Sequence, residues 1–103
     1  MSDSTKNIFR PYADIIDRLQ SVGLRPTKQR LMLGKLLFTG ADRHVSAEEL
    51  HSQVVEAKLS VSLATVYNTL HQFTKSGLLR EVVVDASRAY FDTNISEHYH
   101  FFD

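Results

Sequence analysis

The fold of this chain is decided by the stretch Ser62-Leu-Ala-Thr-Val-Tyr-Asn-Thr-Leu-His-Gln-Phe-Thr74. Its apolar residues recur with the 3.6-residue period of an α-helix, so one face is predicted to pack inward. That inward face carries Leu63, Val66, Leu70 and Phe73. The stretch contains no charged residue. Because a solvent-exposed helix face normally carries Lys and Glu, the uncharged outer face indicates a surface that contacts a partner.

The chemistry of this outer face suits the major groove of DNA. Asn and Gln side chains can form paired hydrogen bonds with adenine, and methyl or aromatic groups can contact the methyl group of thymine. The candidate base-contacting residues are Ala64, Thr65, Tyr67, Asn68 and Gln72. We expect His71 on one flank of the face and Thr69 on the other. The residues alone leave open a second interpretation, in which the neutral face packs against another protein domain.

Three further helices are predicted before this one. Apolar spacing predicts a helix over residues 11–22, and Gly23 supplies the left-handed residue that commonly ends a helix. Thr27 is a good N-cap for a second helix, which is predicted to end near Gly40. The pattern Ser46-Ala-Glu-Glu49 is a capping box and predicts the start of a third helix.

The pattern changes from helical to extended after Gly77. Two β-rich runs, residues 81–85 and 88–92, are separated by Ala86-Ser87 and predict a hairpin. The tail, residues 94–103, is a candidate third strand. The sequence therefore predicts a mostly α fold with a small antiparallel β-hairpin, namely a winged helix-turn-helix of four helices plus a wing.

Length and composition fit one small domain. The chain has 103 residues, 43% of them hydrophobic, and no cysteine, which excludes disulfides, thiolate metal sites and a cysteine nucleophile. No apolar run approaches the ~20 residues that span a bilayer, and residues 1–22 lack the pattern of a secretory signal. We therefore expect a soluble, cytoplasmic protein with no membrane partner. Residues 1–10 are expected to be flexible, and residues 11–92 to form the winged-helix domain.

The charges are balanced overall but unevenly distributed. There are 12 basic and 12 acidic residues, yet residues 23–40 contain four basic and no acidic ones, and residues 81–103 contain one basic and five acidic ones. The basic segment opens the second helix, whose free backbone N–H groups also attract anions, so we expect it to contact DNA phosphates. The candidate phosphate-contacting residues are Arg25, Thr27, Lys28, Gln29 and Arg30.

The acidic tail contains a candidate metal site. His98 and His100 flank Tyr99, so on a strand both imidazole rings would project to one face. Asp92 precedes them at the end of the hairpin, and His44 lies before the third helix. Imidazole and carboxylate ligands suit a divalent ion such as Fe²⁺, Mn²⁺ or Zn²⁺. On spacing alone, ordinary exposed or hydrogen-bonded histidines are the default interpretation.

Three motifs in one register resemble the ferric uptake regulator family of bacterial metal-responsive transcription factors. They are Leu24-Arg-Pro-Thr-Lys-Gln-Arg30, Arg43-His-Val-Ser-Ala-Glu-Glu-Leu50 and Val61-Ser-Leu-Ala-Thr-Val-Tyr-Asn-Thr-Leu70. The resemblance covers roughly residues 12–103. Within the family, three segments look most like the iron response regulator branch, known as Irr. These are Val66-Tyr-Asn-Thr-Leu70, Tyr90-Phe-Asp-Thr-Asn94 and His98-Tyr-His-Phe-Phe102.

The resemblance implies a repressor-type regulator that binds palindromic operator DNA as a homodimer and controls iron and haem homeostasis genes. It implies that residues 93–103 are a hinge and the start of a dimerisation and metal-binding domain, whose remainder this sequence does not include. The 103-residue piece alone is therefore expected to be a monomer. The residues that match the family's regulatory metal site are His44, Asp92, His98 and His100. A divalent ion or haem bound there is expected to set the orientation of the DNA-binding domain.

The sequence also departs from the family pattern. Many relatives carry Arg where Asn68 stands, which implies a different operator. Asp103 stands where a cysteine would complete the family's structural zinc site, and the Gly-Cys-Pro haem motif of some Irr-type proteins is missing. The sequence therefore does not predict that zinc site or that haem motif.

Two other classes of function were weighed against this one. A small metal-dependent hydrolase would use Asp92 and the histidines to hold an activated water. The sequence offers no further acid or base near the tail and no Gly-rich phosphate loop, so we expect that the chain is not an enzyme. A winged-helix protein-interaction module is the other alternative, and it predicts no salt-dependent affinity for DNA.

Overall fold

A computed structural model describes residues 2–95, with side chains from Tyr12 onward. In chain order, the described elements are α1 (Ser2–Ser21), α2 (Lys28–Phe38), β1 (His44–Val45), α3 (Ala47–Glu56), α4 (Leu63–Ser76), β2 (Arg80–Asp85) and β3 (Arg88–Asp92). The four predicted helices and the predicted hairpin are all present in this order. The helix α1 begins at Ser2 rather than near Pro11. The expected flexibility of residues 1–10 stays a prediction.

Side-chain caps fix where the later helices begin. The Thr27 hydroxyl oxygen accepts a hydrogen bond from the Arg30 backbone N–H at 3.4 Å and caps α2. Ser46 and Glu49 form a reciprocal capping box at α3, with N···O distances of 3.1 and 2.9 Å. Ser62 caps α4 in the way that Thr27 caps α2. Each cap satisfies a backbone donor that the helix itself leaves free, so the caps predicted for α2 and α3 are confirmed.

The core lies between the four helices and the sheet. Its fully buried side chains include Leu33, Leu37, Leu50, Val54, Val66, Leu70, Phe73 and Phe91. The prediction that Thr69 flanks the outer face of α4 is wrong, because Thr69 is only 4% exposed. Because α4 packs against both α2 and α3, the buried face of the helix is wider than its stripe of apolar residues. Thr69 lies beside Phe73 on the helix surface and is therefore buried with it.

The sheet has three antiparallel strands in the order β1-β3-β2. The hairpin of β2 and β3 agrees with the predicted runs, but the strand on its other side is β1, which the sequence did not predict. His44 of β1 lies directly opposite Asp92 of β3, and Val45 lies opposite Phe91. The predicted tail strand falls, from Ser96 onward, outside the described residues. The central strand β3 therefore joins the wing to the start of α3.

The helices α1 and α2 approach each other closely at Gly34. A Cβ atom at Gly34 would lie 2.6 Å from Cγ2 of Ile15, whose side chain is buried in the core. Glycine at this position therefore lets the two helices pack with little space between their backbones.

Across the described residues, no helix combines the length and apolar character that crossing a bilayer requires.

Candidate nucleic-acid interface

The outer face of α4 is free to meet a partner. Ala64, Tyr67, Asn68 and Gln72 are exposed, and Thr65 is half-buried beside the cap at Ser62. Within residues 12–95, the Asn68 carboxamide has no hydrogen-bond partner. A carboxamide that is exposed and unpaired keeps both its donor and its acceptor available for a base edge.

The basic start of α2 lies against this face of α4. Arg30 Nε donates to Gln72 Oε1 at 3.1 Å, and Arg30 Nη1 donates to the Arg25 backbone carbonyl at 2.9 Å. Lys28 and Gln29 are exposed in the same first turn of α2. The candidate phosphate-contacting and base-contacting residues therefore form one continuous surface, which we call the α2–α4 surface. Its members are Arg25, Thr27, Lys28, Gln29, Arg30, Ala64, Thr65, Tyr67, Asn68 and Gln72.

Tyr67 is held in place by two neighbours. Its hydroxyl donates to Glu48 Oε2 of α3 at 3.1 Å, and its ring stacks on His71 with centroids 6.2 Å apart. The hydrogen bond to the Glu48 carboxylate raises the pKa of Tyr67, because it stabilises the protonated phenol. Glu48 was not predicted as a member of this interface, because no sequence pattern pairs a residue of α3 with one of α4. The contact with His71 has a sequence signal, the i,i+4 spacing on one helix.

The wing contributes little positive charge to this surface. Arg88 Nε lies 3.2 Å from Asp85 Oδ2, and Arg80 Nη2 lies 3.3 Å from Asp92 Oδ2, so both arginines of the hairpin are in ion pairs. The backbone N–H of Ser87 donates to Asp85 and lowers the pKa of that carboxyl. The other side chains exposed along β2 are largely apolar, with Val83 66% exposed. Phosphate contacts are therefore expected from α2 and not from the described part of the wing.

Two of the four candidate metal ligands are brought together. His44 and Asp92 are 48 residues apart in the sequence but face each other across β1 and β3, where opposite side chains share one face of the sheet. The His44 ring contacts the edge of Tyr90, with centroids 5.7 Å apart. The donor chemistry of an imidazole and a carboxylate fits a divalent ion.

The rest of the candidate metal site is not described. His98 and His100 lie outside the described residues, and within residues 2–95 no group of three or more potential ligands is found. Asp92 already accepts hydrogen bonds from Arg80 and from the Asn94 backbone N–H, at 3.3 and 2.9 Å. A cation bound at Asp92 therefore has to share the carboxylate with the positive charge of Arg80.

The chain is similar in sequence to a known protein family and to individual regulators within it. A family model described as the ferric uptake regulator family matches residues 21–103. The chain is 33% identical over 81 residues to the ferric uptake regulation protein of Cupriavidus metallidurans, and the match covers 79% of this chain and 57% of that protein. It is 30% identical over 100 residues to the peroxide-responsive repressor PerR of Staphylococcus epidermidis, and the match covers 97% of this chain and 66% of that repressor.

Solved structures agree with these matches. The ferric uptake regulator of Pseudomonas aeruginosa with manganese has a TM-score of 0.73 and 34% identity, covering 80% of this chain and 61% of that one. The ferric uptake regulator of Vibrio cholerae matches with a TM-score of 0.74 and 29% identity, and the match covers 81% of this chain and 63% of that one. The predicted winged-helix fold is thereby confirmed. The chain spans less than two thirds of the length of each of these relatives.

Proposed function

Because this chain belongs to the ferric uptake regulator family, we propose that it is the DNA-binding part of a metal-responsive transcriptional regulator acting in the cytoplasm. The relatives named above are regulators and not enzymes, in agreement with the expectation from the sequence. In this proposal, the start of α2 contacts phosphates and the outer face of α4 contacts base edges. The full-length regulator binds a palindromic operator as a homodimer, and residues 1–103 alone are a monomer.

The observation that carries the proposal is the α2–α4 surface. The basic first turn of α2 and the uncharged face of α4 are joined by the hydrogen bond between Arg30 and Gln72. Phosphate contacts fix the position of a protein on the duplex, and contacts to base edges provide sequence specificity. A surface that offers both kinds of group side by side is suited to reading a major groove.

The test is DNA binding by the full-length protein over a range of salt concentrations. We expect the logarithm of the binding constant to fall linearly with the logarithm of the salt concentration. The slope should become more negative by about 0.9 for each phosphate that the protein neutralises. Asn68→Ala should cost about 1–3 kcal/mol on the preferred sequence and much less on random DNA, because it removes a base contact and no charge. Gln20→Ala, at an exposed amide of α1 outside the α2–α4 surface, is the matched control and should change neither affinity.

Two results would contradict this proposal. Affinity that does not depend on salt would favour the protein-interaction alternative. Equal loss on both kinds of DNA would remove Asn68 from the base-contacting residues.

We further propose that His44 and Asp92, together with His98 and His100, hold a divalent cation. The cross-strand pairing of His44 with Asp92 supports this, and relatives have been solved with manganese and with iron. The bound ion supplies a fixed positive charge that several donors can share. His44 lies in β1, just before α3, and Asp92 lies at the end of β3 in the wing, so the pair links the metal site to the DNA-binding domain. Small changes in domain orientation alter operator affinity, because the spacing of two half-sites is fixed by geometry.

The metal proposal is tested by titrating the full-length protein with Fe²⁺, Mn²⁺ and Zn²⁺. His44→Ala should weaken both metal binding and the effect of metal on DNA affinity. His51→Ala is the matched control, because His51 lies on α3 away from the paired strands and should leave both unchanged. If His44→Ala changes neither quantity, the link between metal and domain orientation fails, even where His98 and His100 still bind an ion.

The finer assignment rests on the Irr-like segments of the sequence. We propose that the regulator controls iron and haem homeostasis genes and responds to haem as well as to metal. Haem titration followed by visible absorbance tests this. Binding that is lost when His98 and His100 are both changed to Ala would support the assignment, and the absence of haem binding by the unaltered protein would refute it.

A further inference from the structure

The hydrogen bond between Arg30 and Gln72 has a defined direction. A guanidinium group only donates hydrogen bonds, so the atom of Gln72 that faces Arg30 Nε at 3.1 Å is the carbonyl oxygen Oε1. The guanidinium is held on a second side by the Arg25 backbone carbonyl, at 2.9 Å from Nη1. The orientation of the Gln72 carboxamide is therefore set by a group that is itself positioned by the main chain.

This orientation decides what Gln72 presents to a partner. With Oε1 turned toward Arg30, the N–H groups of the carboxamide are the part directed away from α2. Adenine is recognised in the major groove by an amide that donates to N7 and accepts from the N6 amino group. Guanine instead presents two acceptors, N7 and O6. A carboxamide whose oxygen is turned toward Arg30 and whose N–H groups face the partner matches the acceptor edge of guanine better than the mixed edge of adenine.

We propose that Arg30 is a positioning residue for base recognition, which makes Gln72 a hydrogen-bond donor and selects guanine over adenine at the base pair that Gln72 contacts. The inference rests on the proposed function and deepens it. On the sequence alone, Arg30 is a phosphate contact that adds affinity equally on all DNA. The structure adds a second role, while the remaining N–H groups of the guanidinium stay available to a phosphate.

The experiment is selection from a randomised duplex pool by the full-length protein, followed by affinity measurements on single-base variants of the preferred site. The base pair contacted by Gln72 is the position at which preference disappears in Gln72→Ala. In the unaltered protein we expect guanine to be favoured there by about tenfold over adenine, within the range that one paired base contact provides. Arg30→Ala should abolish or reverse this preference and also weaken binding to all sequences.

A matched control separates positioning from charge. Lys28→Ala removes a positive charge from the same helical turn but leaves the hydrogen bond from Arg30 to Gln72 in place, so it should weaken all sequences alike and leave every base preference unchanged. In the Gln72→Ala background, Arg30→Ala should lower affinity uniformly, because no oriented carboxamide remains. Circular dichroism melting of each variant checks that the fold is retained.

The outcomes distinguish this inference from the proposed function. Salt-dependent binding in which the unaltered protein prefers adenine at the base pair identified with Gln72→Ala would overturn the inference alone. So would an Arg30→Ala profile that matches Lys28→Ala, with the guanine preference retained. Failure of the unaltered protein to bind any duplex would overturn the proposed function, and the inference with it.

Discussion

Replacing Gly34 with alanine tests how tightly α1 and α2 pack. Gly34 lies in the middle of α2 and is buried. On helix propensity alone the change should stabilise the fold, since alanine is favoured over glycine within a helix by about 1 kcal/mol. The new methyl group, however, would lie 2.6 Å from Ile15 Cγ2.

The steric cost is expected to exceed this gain. Favourable contacts between carbon atoms occur at about 3.5–4.0 Å, so roughly 1 Å of extra space has to be found. Ile15 is branched at Cβ, and such side chains have one strongly preferred rotamer in a helix, so the methyl group cannot simply rotate away. The relief must come from a shift of the helices, and overpacking of this kind costs about 1–3 kcal/mol. We therefore expect Gly34→Ala to lower the free energy of unfolding by about 1 kcal/mol.

Urea unfolding followed by circular dichroism measures the effect as a lower transition midpoint at constant slope. The control is the same substitution in an Ile15→Ala background, where Cγ2 is gone and the nearest remaining atom of residue 15, Cβ, lies at 3.9 Å. There Gly34→Ala should stabilise by about 1 kcal/mol. If the single change already stabilises the unaltered protein by that amount, the close packing argued for α1 and α2 is refuted.

Three further predictions concern other parts of the fold. Phe73→Ala should lower the free energy of unfolding by about 3–5 kcal/mol in a urea titration, because the ring is fully buried, and unchanged stability would contradict the core described above. The pKa of Asp85 is lower in the folded than in the unfolded state, so its stabilisation of the turn is present above about pH 4 and is lost as pH falls through the folded value. The Ser87 amide resonance should follow this transition, and Asp85→Asn should abolish it. Glu48→Ala should lower the pKa of Tyr67 toward its ordinary value in an NMR titration, whereas an unchanged pKa would show that Glu48 is not the cause of the shift.

Most of the architecture could be predicted because the signals are local. Three of these signals each involve residues that are close together in the sequence: the helical period of α4, the capping box at Ser46 and the two β-rich runs. The structure confirms the element that each one predicted. The strand β1 was missed because two residues carry no periodicity, and His44–Val45 becomes a strand only by pairing with β3. Thr69 was misplaced because the width of a buried helix face depends on how many neighbours pack against it.

The candidate site shows the same limit more sharply. Residue types on α4 indicate base contacts, but the partner of Gln72 is Arg30, which lies 42 residues earlier in the chain. Similarly, no local pattern sets the register that places His44 opposite Asp92, and only the family resemblance assigned the two residues to one site. Such contacts are set by how the helices and strands pack together, and a local pattern in the sequence contains no information about that packing.

The absence of charge on α4 has a consequence for behaviour in a living cell. If α4 reads the bases as proposed, moving from arbitrary DNA to the operator adds contacts that release no counterions, since no side chain between Ser62 and Thr74 is charged. The ratio of operator affinity to background affinity would then stay constant as intracellular potassium rises or falls. Osmotic stress would change how long the protein stays on the chromosome, while its ranking of target genes would remain the same.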